Sequence, residues 1–483
     1  MLFDGFRPSG VFHFFEEISK IPRCSGNEEA VSGYITRFAR EKGLKYKTDP
    51  ANNVLIEKEA APGYENSPGV ILQAHMDMVC EKDENTSHDF AKDPLRLRRD
   101  GDFIYAEGTT LGADNGIGVA YMLAILDSPE IPHPRLECIF TADEERGMGG
   151  AIGFDAASLK GRYMINLDTE GEGKLLVGCC GGLKARISLT LALRPKTPGL
   201  KPYELLIKGL KGGHSGADII FQRANSNKLM GRLLRRINRD FNIEVSEISG
   251  GMADNAIPRE ARAIFFADKG EIREINLVIG KMREIFENEY KYPEGEITVS
   301  LLPCLKEYET VFEAETLNKA ISLLILIPSG IIRMDFNIPG LVETSTNLGI
   351  VRTEGDKLEF ISALRSSVES KKYEMLDVLS EAAGMAGAEL SVSGEYPGWE
   401  YKPDSRLLSL FSEVFFDMYG KKPEVLTIHA GVECGIFADK NKELDMISVG
   451  PDIFDIHSPR EKMSLSSALR VYEYILRILS LLK

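Results

Sequence analysis

Apolar positions in the first 180 residues alternate between short unbroken runs and stretches of helical period. The runs at 70–73, 136–141 and 163–167 are the kind that parallel strands show when both faces are covered. Between them, 117–127 and 150–159 read as helices, and 10–21 and 27–42 read as helices ahead of them. In the stretch 27–42, Ala30, Val31, Tyr34, Ile35 and Phe38 share one face and Gly43 closes the end. Short strands follow at 44–48 and 53–58. The pattern is α/β, built on a mostly parallel central sheet.

Near Gly181 and Gly182 the pattern changes. From Lys184 apolar and polar residues alternate, which suits a sheet with one wet face. Two strands precede a helix at 225–239, and two more precede a helix at 272–288 and a strand at 295–302. A second series follows: helix 313–325, strands 342–352 and 357–365, helix 371–386 and strand 388–393. These predict an inserted α+β lid of ferredoxin-like βαββαβ layers, with a duplicated order but no residue-level repeat. After Tyr396-Pro397-Gly398 the α/β pattern resumes, with a helix at 404–419, a helix or loop at 431–438, a strand at 445–449 and a last helix at 464–482. The expected organisation is a catalytic domain in two parts, 1–183 and 397–483, interrupted by a lid at 184–396.

A chain of 483 residues suits two or three such domains. The formal charge of −15, from 58 basic and 73 acidic residues, argues against nucleic acid as a partner. No apolar run is long enough to cross a bilayer, so no membrane partner is expected. Residues 1–8 lack the basic end and apolar stretch of a secretory leader, which predicts a cytoplasmic protein. Seven cysteines, two of them adjacent at Cys179 and Cys180, predict reduced thiols and no disulfide framework.

Chemistry gathers after the strands. The run at 70–73 leads to His75-Met-Asp77, where a period of two puts both side chains on one face. The strand 136–141 leads to Asp143-Glu144-Glu145, and 163–167 leads to Asp168. The strand 445–449 leads to Asp455-Ile-His457, and Asp114 sits in the glycine-rich stretch Gly108-Thr-Thr-Leu-Gly-Ala-Asp-Asn-Gly-Ile-Gly118. Singly, each has a bland explanation: a helix cap for Asp114, a turn pair for His75 and Asp77, a solvated acidic loop for 143–145. Together they follow the carboxyl ends of strands, where open α/β sheets bind ligands. Two imidazoles and three carboxylates are too many for one tetrahedral ion and suit two ions sharing a carboxylate, with Asp114 as the bridge. Of the adjacent glutamates, one can ligate while the other takes a proton from water.

The series His75-x-Asp77, Gly112-Ala-Asp114-Asn115, Asp143-Glu-Glu145, Asn166-Leu-Asp168 and His457 resembles the dinuclear zinc superfamily of aminoacylases, carboxypeptidase G-like enzymes and dipeptidases. Within it, Ile21-Pro-Arg-Cys-Ser-Gly-Asn-Glu28, the stretch 108–118 and Ile428-His-Ala-Gly-Val-Glu-Cys-Gly435 resemble the aminoacyl-histidine (Xaa-His) dipeptidase group, over nearly the whole chain. The resemblance implies His75 and Asp168 on one zinc, Glu145 and His457 on the other, and Asp114 on both. It implies that Asp77 orients His75 and that Glu144 is the general base. In the lid, it implies that His214, in Gly212-Gly-His-Ser-Gly, stabilises the oxyanion, and that Asn255 and Arg365 hold the substrate's polar end.

The expected activity is hydrolysis of Xaa-His and related dipeptides, including the β-Ala-His type, with two Zn²⁺; Mn²⁺ or Co²⁺ suits the same oxygen-rich donors. Deacylation of N-acyl amino acids and tripeptide hydrolysis are the rival activities on this scaffold, and a non-catalytic peptide-binding protein is the rival of another class. His214 can be supplied within one chain or by the second copy of a homodimer. Two departures from the family stand out: Cys180, where a small residue is usual, is expected to pack as an apolar group, and Ala74 replaces a common glycine.

Overall fold

Val70, Ile71 and Leu72 are fully buried; their strand has a neighbour on each side, and helix Ala113–Asp127 packs against it. In the computed structural model, which describes residues 2–3, 9–336, 338 and 340–483, the chain divides into two compact units. Residues 1 and 4–8 of the start read for a leader lie outside the described residues. The first unit comprises Met1–Gly178, Trp399–Thr427 and Val432–Lys483, and the second Cys179–Gly398 with Ile428–Gly431.

The first unit holds an eight-stranded sheet. Its order is Lys45–Thr48, Val54–Lys58, Leu136–Thr141, Val70–His75, Tyr163–Asn166, Asp445–Ser448, Lys174–Cys179, Glu424–Ile428. The strands from Leu136–Thr141 to Asp445–Ser448 run parallel, so four carboxyl ends open on the same edge, and antiparallel strands flank them. The predicted helix at 150–159 is instead a short helix, Gly149–Gly153, and a 3₁₀ turn, Ala156–Ser158. Three glycines in five residues give that helix little intrinsic support. Strands Lys174–Cys179 and Glu424–Ile428 were not expected; the second is a half-buried edge strand without a clean apolar alternation. The long buried helix begins in the glycine-rich stretch and ends at Asp127, where Lys58 Nζ donates to the carbonyls of Ile125, Leu126 and Ser128.

The second unit carries a nine-stranded antiparallel sheet in which the two series lie edge to edge. Thr298–Pro303, Lys201–Lys208, Ala261–Ala267 and Glu244–Gly250 form one half. Val342–Glu354, Lys357–Ser366, Gly181–Thr190 and Glu389–Tyr396 form the other, and Gly330–Met334 adds to Val342–Glu354. The register Ser249↔Arg352 and Gly250↔Val351 joins the halves. Alternation sends Leu183, Ala185, Ile187 and Leu189 into a core with helices Ser226–Asp240, Ile272–Glu289, Ala314–Leu326 and Glu369–Ala386. The opposite positions, Lys184, Arg186 and Ser188, are half-buried, as a sheet with one wet face requires.

One expectation is corrected. Cys24 and Cys80 form a disulfide, with Cα atoms 5.7 Å apart. The chain before the second helix runs parallel to the exit of Val70–His75, pairing Cys24 with Met78, and this brings together cysteines 56 residues apart. Linear spacing carries no trace of that approach. Among the described residues, no helix is long and apolar enough to cross a membrane.

Candidate active site

Within the first unit the parallel strand ends converge. His75, the last residue of its strand, is 1% exposed and sets Nε2 3.1 Å from Asp114 Oδ1 and 3.3 Å from Asp168 Oδ1. His457 sets Nε2 3.2 Å from Asp114 Oδ2 and 3.1 Å from Glu145 Oε1. Asp114 therefore divides its two oxygens between the two imidazoles. Its backbone is outside the helical region at φ −79°, ψ 107°, and the Asp114–Asn115 peptide is cis. The capping role goes to Asn115, whose Oδ1 accepts from Gly118 N at 3.2 Å. Asp143, Asp455 and His457 all have left-handed backbone, a conformation uncommon for residues with a Cβ and frequent where side chains must be re-aimed at a site.

Asp77 is fully buried behind His75, with Oδ1 3.4 Å from Nδ1. It also accepts from Ser25 Oγ at 2.7 Å and from the amides of Glu144 and Glu145 at 3.1 and 3.3 Å. Burial opposes its charge, but these donors, His75 first, hold its carboxyl down at about 2. An acid held so low is a fixed acceptor, suited to set the His75 tautomer. Burial also opposes a charged His75, yet Asp168, Asp114 and Asp77 keep its pKa well above the ordinary imidazole value. Hydrogen bonds with Asp114 and Glu145 push His457 up to about 10. Burial pushes Glu144 up to about 8 against the attraction of His75, and the charges of Glu433, Glu145 and Asp114 add to the rise.

Three overlapping groups bring donor atoms within 4.8 Å of one another: His75, Asp114 and Asp168; Asp114, Glu145 and His457; and His75, Glu144 and Glu145. The first two share Asp114. Imidazole and carboxylate donors without thiolate fit a borderline or hard divalent cation, and carboxylates crowded this closely are relieved of their mutual repulsion by one. Beneath these donor groups lies a polar layer. Gln73 Nε2 donates to Thr141 Oγ1 and Glu433 Oε2, Gln73 Oε1 accepts from Asn166 Nδ2 at 2.6 Å, and Asn166 Oδ1 accepts from the Asp168 amide. Gln73 and Asn166 stand two residues before His75 and Asp168, so this layer locks the strand ends that present them.

His214, Asn255 and Arg365 lie in the second unit. The ribbon Gly213–His214 pairs with Ala256–Ile257, and Ser215 N donates to Asn255 O, which sets His214 beside Asn255. His214 Nδ1 accepts from the amides of Gly216 and Ala217, so its proton sits on Nε2. Burial, then the Arg365 charge, keeps it neutral by lowering its pKa. Arg365 donates to Tyr396 Oη at 3.0 Å and touches the Cys180 thiol. Cys180 is buried as expected of an apolar group, but its sulfur also faces the guanidinium, a contact not expected from sequence. Ala74 lies in regular strand without left-handed backbone, so the missing glycine costs nothing.

Arg23, Glu433 and Glu461 are further buried charged residues that the sequence reading does not place among the donor groups. Arg23, 2% exposed, donates to the carbonyls of Met76, Asp77 and Gly112, tying three loops of the site together. Their available signal is position: Arg23 stands in the motif 21–28, Glu433 in the motif 428–435, and Glu461 four residues after His457.

A parallel sheet whose strand ends present two imidazole-carboxylate clusters around a shared Asp is the architecture of a metal-dependent hydrolase. Residues 71–481 match peptidase family M20/M25/M40, and the chain belongs to that family. It is 37% identical over 460 residues to the cytosol non-specific dipeptidase of Escherichia coli strain K12, covering 95% of each chain. The crystal structure of aminoacylhistidine dipeptidase from Vibrio alginolyticus superposes with a TM-score of 0.94 at 38% identity, covering 99% of this chain and 97% of that one. Aminopeptidase PepT from Bacillus cereus shares the fold at a TM-score of 0.58 and 14% identity.

Proposed function

We propose that this chain is a cytoplasmic dipeptidase that works with two divalent cations, zinc by preference, and accepts Xaa-His and related dipeptides. The observation that carries the reading is Asp114, whose two oxygens belong to two separate donor groups. His75 and Asp168 would complete one ion's shell, and Glu145 and His457 the other's. Bound cations supply the Lewis acidity that acidifies water and polarises a peptide carbonyl. Glu144 takes the proton of the attacking water and hands it to the leaving amine, so the carboxyl ends the cycle as it began. Asp77 stays ionised throughout and orients His75. His214, with its proton on Nε2, donates to the oxygen that gains charge, Arg365 pairs with the free carboxylate of the dipeptide, and Asn255 holds its polar end. The relatives named dipeptidases, one of them cytosolic, support the substrate class and the compartment.

The test is a substrate panel of β-Ala-His, Ala-His, a tripeptide and an N-acetyl amino acid, run with Zn²⁺, Mn²⁺ and Co²⁺ on wild type and Glu144→Gln. Turnover of both dipeptides, absent from the other two substrates and lost by about 100-fold or more in the variant without loss of bound metal, is expected. Preference for the tripeptide or the acetylated substrate would replace the dipeptide reading. Equal activity in Glu144→Gln would remove Glu144 as the base.

A further inference from the structure

We infer that Glu461 is a positioning residue that sets the distance between Asp114 and His457, and with it the second cation position; this rests on the reading of the donor groups above. Glu461 is 2% exposed. Its Oε2 accepts from the amides of Leu111 and Gly112 at 2.8 and 2.9 Å, and its Oε1 from those of Ala113 and Asp114 at 2.8 and 3.4 Å. Four consecutive N–H groups thus close on one carboxylate, an anion nest of backbone dipoles. From the other side Arg23 donates to the Gly112 carbonyl. Gly112 is left-handed at φ 65°, and a Cβ there would stand 2.5 Å from the Arg23 guanidinium and 2.6 Å from Met78 Sδ. The turn is therefore gripped on its N–H edge by an anion and on its C=O edge by a cation, with no room for a side chain.

Glu461 belongs to the same loop as His457: its own amide donates to Ser458 O at 3.0 Å, in a turn that begins one residue past the imidazole. One side chain therefore fastens the His457 loop to the Asp114 turn, across which His457 Nε2 lies 3.2 Å from Asp114 Oδ2. Glu461 touches no donor atom of the cluster; it acts through the backbone that carries two of them. A glutamine cannot replace it, because its amide would point N–H groups at N–H groups. An aspartate keeps the charge but cannot reach all four amides.

Metal-free wild type, Glu461→Gln and Glu461→Asp are titrated with Co²⁺, following visible absorption and heat, alongside thermal melts and dipeptide kinetics in saturating Co²⁺. Wild type takes up two ions. Both variants melt cooperatively and retain one tight ion, the second is weakened by about 10- to 100-fold, and kcat falls with KM within a few-fold. Glu461→Asp recovers more of the second affinity than Glu461→Gln. Two ions at wild-type affinity in both variants would overturn the inference. So would loss of both ions together, or loss of the cooperative melt in both variants, since either result makes Glu461 a scaffold residue. A wild type that binds no Co²⁺ strikes at the proposed function instead.

Discussion

His429 offers a quantitative test of how the second unit handles charge. The side chain is 9% exposed, its Nε2 lies 2.6 Å from Ser345 Oγ, and burial, then the Arg365 charge, lowers its pKa from 6.5 to about 3. The unfolded chain takes a proton at this position below about pH 6.5, while the folded chain refuses it until about pH 3. The unfolded state therefore binds more protons in that window, and stability from this group is fully present above pH 6.5 and drains as the pH falls. Between pH 7 and pH 5 the loss is about 2 kcal/mol, and over the whole window it approaches about 5 kcal/mol. His429→Gln keeps a polar end for Ser345 and removes the titration. The assay is urea unfolding by circular dichroism at pH 7, 6 and 5, in chelator so that no metal linkage enters. His75 and His457 shift the opposite way and gain stability on acidification, but they do so equally in both proteins and cancel in the difference. Wild type is expected to lose about 2 kcal/mol more than the variant between pH 7 and pH 5. Parallel pH dependence in the two proteins would refute the reasoning and mean that His429 titrates as a solvated imidazole.

Other substitutions probe separate links. Asp114→Ala removes the oxygens shared by both donor groups, so tight metal binding falls for both ions in elemental analysis after dialysis; retention of both would refute the bridge. Gly112→Ala puts a Cβ into left-handed backbone against Arg23 and Met78, and is expected to cost at least about 1 kcal/mol in urea unfolding; a neutral result would show that the turn yields. Cys24→Ser opens a loop spanning 56 residues, worth about 4 kcal/mol in the chain-entropy model. Wild type in reductant should match that variant, and a wild type indifferent to reductant would show that the bridge does not support the fold.

Much of the site was legible because its signals are local. His75 and Asp77 share a face by the period of two, Asp168 and Glu144 follow apolar runs suited to buried strands, and the glycines around Asp114 announce a special turn. The expected helix at 150–159 is cut short because its apolar period includes Gly150 and Gly153, which weaken it. Cys180 was read by size alone, and its contact with Arg365 depends on adjacent strands, Lys357–Ser366 and Gly181–Thr190, being in register at Arg365↔Gly182.

Sequence alone therefore determined most of the elements, the two kinds of sheet and the residue types that gather at strand ends, since periodicity and side-chain chemistry act over a few residues. Tertiary structure decided what lies beside what. The carboxylate of Glu461 meets amides nearly 350 residues away, Gln73 meets Glu433, and Cys24 meets Cys80. These partners are chosen by how strands pair and loops return. A buried polar group must find a partner somewhere, and only the folded chain specifies which one.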